Sequence, residues 1–312
     1  MEINNKRLQI LTPQELQACY SIPFFNSNER KIYFSLNALE LSIAKTYSST
    51  VDSVHFILQL GYCKAKNKIF NLKQQVPKKD SEFIYNTYFP TEHRRRTVFN
   101  TSKDIKISQR KKILKLLNLS LFKAKHQKKL SKEALKLTKS ILEPKQLFHA
   151  LLDHLENQSI LIPGYSTLQD IISSALTEER KRLARILKQN LTKQVNNTLN
   201  KILNQFDIPI HFAKLKQEPT YFNYKSMKQE IKKHKALNPL FQFASQLIPK
   251  LGVSKNILLY YANLIDYYTV YNLRRLENNL GKLYLLCYIF DRYKSINNNL
   301  ATAFYYHVNN IQ

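Results

Sequence analysis

Four glycines in 312 residues, Gly61, Gly164, Gly252 and Gly281, leave this chain few places to turn through left-handed backbone or to bring bare peptide against a ligand. No two of them are close enough to form a phosphate-cradling loop, so Walker and Rossmann nucleotide sites are excluded on spacing. Valine is also scarce, at eight residues, while Leu, Ile, Lys, Asn and Glu fill long stretches with helical periodicity. A sheet has little material to build from, and the expected fold class is all-α.

Along the chain, Ile32, Leu36, Leu39 and Ile43 recur at helical spacing and predict one amphipathic helix ending near Tyr47. Thr50 is the expected N-cap of a second, with Asp52 in its first turn and Val54, Ile57, Leu58 and Gly61 following; the two should pair. A short helix is expected over 81–89, stopped by Pro90. Ser108 is the expected cap of a helix whose Ile113, Leu116 and Leu117 form an apolar stripe flanked by Arg110, Lys111, Lys112 and Lys115. Ser131 with Glu133 and Pro144 at N1 predict two more helix starts, the latter burying Leu147, Leu151, Leu152 and Leu155. Pro163 and Gly164 mark a break, and Ser166 with Gln169 has capping-box spacing. Helices are expected over 171–176, over 178–187 and through Val195, Leu199, Leu203 and Phe206, with Pro209, Pro219, Pro239 and Pro249 punctuating the next fifty residues or so. From Ser254 onward the segments YYANLIDYYTVYNLRRL and GKLYLLCYIFDRY predict long aromatic helices. The expected domains are 1–162, with a further split near residue 100, and 163–312.

Charge sharpens the reading. Lysine and arginine total 49 against 22 acidic residues, a net charge of +27. Lysine's abundance beside Asn, Ile and Tyr suggests a coding bias, but such a bias would spread evenly. Instead, the stretch from Arg94 to Lys145 holds 17 Lys and Arg against Asp104, Glu133 and Glu143. That density favours a polyanionic partner, and nucleic acid is the commonest one.

Other chemistries find little support. His149 and His154 are five apart and fall on different helix faces, so the zinc-protease geometry fails. Ser and Cys lack a nucleophile elbow, and the scattered aspartates form no metal-binding motif. No enzyme function, cofactor, metal or small-molecule substrate is expected. Cys19, Cys63 and Cys287 form no CxxC pair and are expected as buried or half-buried reduced thiols. The N-terminus does not read as a signal peptide and no apolar run is long enough to span a bilayer, so a cytoplasmic chain without a membrane partner is expected. Tyr260, Tyr261, Tyr267, Tyr268 and Tyr271 sit at helical spacings and are expected in core or subunit-interface packing, with a homodimer in view. The nearby Arg274 and Arg275 could cap a helix, join an ion pair or touch phosphate.

A resemblance adds to this. The segments LTPQELQACYSIPFFNSNERKIYFSL, VDSVHFILQLGYCKAKNKIF, FIYNTYFP, SQRKKILKLLNLSLF, ILIPGYSTLQDII, YYANLIDYYTVYNLRRL and LYLLCYIFDRY, in this order and spacing, resemble the N-terminal half of the Tn-three family transposases. The resemblance implies multi-module helical bundles with helix-turn-helix-like modules that bind duplex DNA at the terminal inverted repeats of a replicative transposon. The carboxylates that cut and join DNA in that family lie in an integrase-like domain farther along, so a truncated or split transposase without catalysis is expected. The main contact is expected between Arg94 and Lys129, at Arg94, Arg95, Arg96, Lys103, Arg110, Lys111, Lys112, Lys115, Lys123, Lys125, Lys128 and Lys129. A helical scaffold that dimerises through its tyrosines and an RNA-binding protein are the alternative readings.

Overall fold

A computed structural model describes residues 7–72, 76–92, 96–205, 211–221 and 223–309. The described residues are all-α, with a single parallel bridge between Ser120 and Ile160 as their β feature. They form two compact units. The first comprises Met1–Ala134 and Glu143–Ser173, and the second Leu135–Leu142 and Ser174–Gln312.

The first unit opens with α1 (Pro13–Tyr20), α2 (Ser27–Phe34) and α3 (Ala38–Ala44), each started by a capping box: Thr12 with Glu15, Asn26 with Glu29 and Asn37 with Glu40. In each, the cap side chain accepts from the N3 amide while the glutamate accepts from the cap amide, which satisfies two otherwise orphaned donors. The helix expected through Ile32, Leu36, Leu39 and Ile43 is two helices: α2 ends at its C-cap Ser35 and Asn37 starts α3, leaving Ile32 and Leu39 exposed. At the centre lies α4 (Thr50–Lys66), buried along its whole circumference from Ser53 to Cys63. Its N-cap is Ser49, not Thr50. Gly61 does not end it; the helix passes through Gly61, where Phe34 crosses, and closes in left-handed backbone at Asn67. Around it pack α2, α3, α5 (Lys78–Tyr88) and α6 (Lys103–Leu116).

Next come α7 (Ala124–Leu137), which starts about two turns before the expected Ser131, and α8 (Pro144–Asn157), with Pro144 at its first turn and Leu147, Leu151 and Leu155 buried. Three loops are stitched together beside them. Ser120 N donates to Ser159 O (2.8 Å), Leu161 N to Ser120 O (2.9 Å) and Ile162 N to Asn67 O (3.0 Å).

The Pro163–Gly164 break opens α9 (Tyr165–Asn190), one helix in place of the two expected; Ser166 lies inside it, and Gln169 donates to the Leu8 carbonyl (3.1 Å) instead of capping. The second unit continues with α10 (Lys193–Asn204), α11 (Phe212–Lys216), α12 (Tyr224–Leu251), α13 (Lys255–Tyr267), α14 (Val270–Arg274) and α15 (Leu280–Asn309). Phe206 and Pro209 lie outside the described residues. Pro239 and Pro249 do not break α12, because Leu237, Leu240, Ala244, Leu247 and Leu251 form a continuous buried stripe against α15. Packing outweighs the local helix cost of proline here. The expected tyrosine core is only partly formed: Tyr261 is buried and stacks on Tyr284, whereas Tyr260, Tyr267 and Tyr271 are exposed. A buried ion cluster ties α15 to α12. Arg292 donates to Glu230 (3.3 Å), to the Leu215 and Gln217 carbonyls and to Glu218, while Lys233 pairs with Glu230 at 2.6 Å. Cys63 and Cys287 are buried, with their thiols pushed up to about 12 by desolvation, and Cys19 is half-buried.

Candidate nucleic-acid interface

The basic stretch is carried by rigid helices. Ser102, not Ser108, caps α6: its hydroxyl accepts from Ile105 N at 3.3 Å, with Asp104 in the first turn complementing the helix dipole. Ile113 is buried and Leu116 and Leu117 pack at the core edge, as the apolar stripe predicts. A polar lock adds to this anchor. Gln109, also buried, donates from Nε2 to the Asp52 carbonyl (2.8 Å) and accepts at Oε1 from His55 Nδ1 (2.6 Å), fastening α6 to α4. Burial pulls the His55 pKa down, which outweighs the opposing effect of the Gln109 bond.

At about 100° per residue, this anchor sorts the cations of α6 into three groups. Lys111 and Lys115 fall opposite Ile113 and are exposed. Lys112 falls on one flank and is half-buried: its ammonium meets Thr46 Oγ1 (3.2 Å) and lies 4.6 Å from the centroid of the Tyr47 ring. It is engaged within the fold, whereas Arg110, Lys111 and Lys115 are exposed. Lys103, Lys106 and Arg110 share the other flank.

On α7, Lys125, Lys128 and Lys129 are exposed around the helix start, away from buried His126, Leu130 and Ala134, and Lys123 is exposed just before it. His126 Nδ1 accepts from Lys123 N at 3.2 Å, which fixes the first turn. Arg96 is exposed, and its amide faces the Tyr85 hydroxyl at 3.4 Å. Arg94 and Arg95 lie outside the described residues. In the second unit Arg274 and Arg275 are exposed at the end of α14, and Arg275 donates to Tyr271 OH (3.0 Å) with its guanidinium over that ring.

Between α6, α4 and the segment after α4 lies a recess of about 490 Å³, lined among others by Lys103, Lys106, Arg110, His55, Gln59 and Phe70. Gln59 holds one wall by bonding both backbone groups of Phe70. Sequence reasoning passed over Lys106, His55 and Gln109. The spacing of positions 103, 106 and 110 along one helix flank was a readable signal for the cations, but a buried histidine and glutamine on different helices leave none.

Among the described residues, no group of three or more His, Cys, Asp or Glu is placed to hold a metal ion, and no helix is long and apolar enough to cross a membrane. No curated protein matches the chain. Residues 10–175, which span nearly all of the first unit with its α6 and α7 cations, match a family model described as "Domain of unknown function (DUF4158)". That match covers more than half of the sequence, and the chain belongs to this family.

Proposed function

We propose that the chain binds duplex DNA through the exposed cations of α6 and α7. The observation that carries this reading is the exposure of Lys111 and Lys115 on α6, of Lys125, Lys128 and Lys129 on the first turns of α7, and of Lys123 just before it, all within the first unit, each helix held by its own buried anchors. Because their backbone is already ordered in helices, these cations meet phosphates without further backbone ordering, and each contact releases counterions. The resemblance to Tn-three family transposases supports a transposon terminal inverted repeat as the preferred duplex, with strand cleavage and transfer residing outside this stretch.

Titration of a labelled duplex at increasing salt tests the proposal. Each neutralised phosphate contributes about −0.9 to the slope of log affinity against log salt, so several contacts make binding fall steeply. Salt-independent binding refutes it, and equal affinity for a terminal repeat and a random duplex refutes the repeat preference. Replacing Lys111 and Lys115 with Gln is expected to weaken all duplexes and flatten the slope.

A second reading has its own observation. The exposed Tyr260, Tyr267 and Tyr271 favour self-association through the second unit. Sedimentation over a range of concentrations decides it, a constant monomer mass counting against it.

A further inference from the structure

The recess beside α6 is left unused by duplex binding along the outer faces of α6 and α7. Its rim carries Lys103, Lys106 and Arg110, and among the described residues none of the three pairs with a carboxylate. Its wall carries His55, 2% exposed, whose Nε2 is buried without a hydrogen-bond partner. A convex row of lysines meets backbone phosphates one at a time, whereas a concave site with three cations can surround a single doubly charged group.

The histidine adds a chemical constraint. Gln109 commits its Nε2 to the Asp52 carbonyl, so the hydrogen-bond network assigns its Oε1 as the acceptor of His55 Nδ1–H. Nε2 is then a bare lone pair in the neutral ring and an N–H donor in the protonated one. The charged groups around the ring are Asp52 on α4 and Lys103, Lys106 and Arg110 on α6, while Phe99 meets it edge-on. In the free chain, burial and Lys106 favour the neutral ring, and the Gln109 hydrogen bond and Asp52 oppose them. An anion in the recess would act against burial and Lys106, in the same direction as Asp52.

We propose that this recess binds a phosphomonoester, held by Lys103, Lys106 and Arg110, with His55, whose Nε2 a small shift of the recess wall must uncover, taking a proton from solvent and donating from Nε2 to a phosphate oxygen. The phosphate belongs either to the 5′ end of a DNA strand or to a free nucleotide; only the DNA source rests on the duplex-binding reading.

The test uses the full chain with two duplexes of one sequence, one 5′-phosphorylated and one 5′-hydroxyl, and separately with a nucleoside 5′-monophosphate against its nucleoside. The phosphate is expected to tighten binding roughly tenfold in at least one arm. Lys103→Gln with Lys106→Gln is expected to erase that ratio. Lys111→Gln with Lys115→Gln is expected to weaken both duplexes alike and preserve it. Phosphate selectivity in the duplex arm identifies a DNA end, and selectivity in the mononucleotide arm alone identifies a free nucleotide. No selectivity in either arm overturns the proposal while leaving duplex binding intact.

Sulfate, which does not titrate near neutrality, tests the proton. It is expected to bind more tightly at about pH 6 than at about pH 8 and to move the His55 ring resonances toward the protonated form. His55→Gln is expected to lose this pH dependence. Should that variant fail to fold, the parent's resonances decide alone: a His55 titration unmoved by saturating sulfate refutes its role.

Discussion

Gly61 shows how one missing methyl group positions two helices. A Cβ there would meet the Phe34 ring and come within 3.0 Å of the Tyr33 carbonyl, so α2 can cross α4 at this depth only over a glycine. Gly61→Ala is therefore expected to destabilise the fold by about 1–3 kcal/mol, despite alanine's better helix propensity, and urea denaturation will show a lowered midpoint. A stabilised variant would mean that Phe34 moves aside without cost. His55 leaves a second residue-level signature, in stability against pH. Its pKa in the folded chain is depressed, so below the ordinary value of about 6.5 the unfolded chain takes up a proton that the folded chain refuses. Stability is expected to fall as pH drops from about 6.5 toward the depressed value, and to fall less in His55→Gln. Parallel stability profiles of the two proteins would exclude the effect.

At the scale of elements, the buried ion cluster allows a comparison between two carboxylates on the same arginine. Glu230 is 1% exposed and serves both Arg292 and Lys233, whereas the Glu218 side chain is 69% exposed. Glu230→Leu strands two cations in the interior and is expected to cost about 3–5 kcal/mol. Glu218→Ala is expected to cost less than about 1 kcal/mol. Thermal unfolding that ranks the two in the opposite order would refute this account of how α12 and α15 are held. The same elements show what could be read from sequence. The apolar spacing of α8 and the stripe of Ile113, Leu116 and Leu117 on α6 were legible because local periodicity reports one buried face. The break at Asn37 lay within an apparently continuous pattern, since Leu36, in the link between α2 and α3, and Ile43, on α3, both pack against the core. The passage of α12 through Pro239 was hidden because proline's cost is local while the packing that overrides it comes from a helix some fifty residues later. On α6 the cations were visible but their partition was not. Lys112 is drawn to Tyr47 and Lys106 faces His55, and neither neighbour is encoded in the spacing of α6 itself.

At the scale of the whole molecule, the described residues form two cores, one gathered around α4 and the other around α15. The basic stretch that carries about half of the net charge lies mostly in the first unit, on α6 and α7 and the segments beside them, while exposed tyrosines mark the second. Each core also encloses one cysteine, Cys63 in the first and Cys287 in the second, both with thiols too weakly acidic to react at neutral pH. Alkylation at pH 8 is expected to modify the half-buried Cys19 first and to reach the other two only when their surroundings open. These two sulfur atoms are thus built-in clocks for the opening of each half, readable by mass spectrometry without any engineered label. If the halves open independently, Gly61→Ala will hasten the clock at Cys63 and leave the one at Cys287 running at its parental rate; equal acceleration of both would show that the chain opens as one cooperative body.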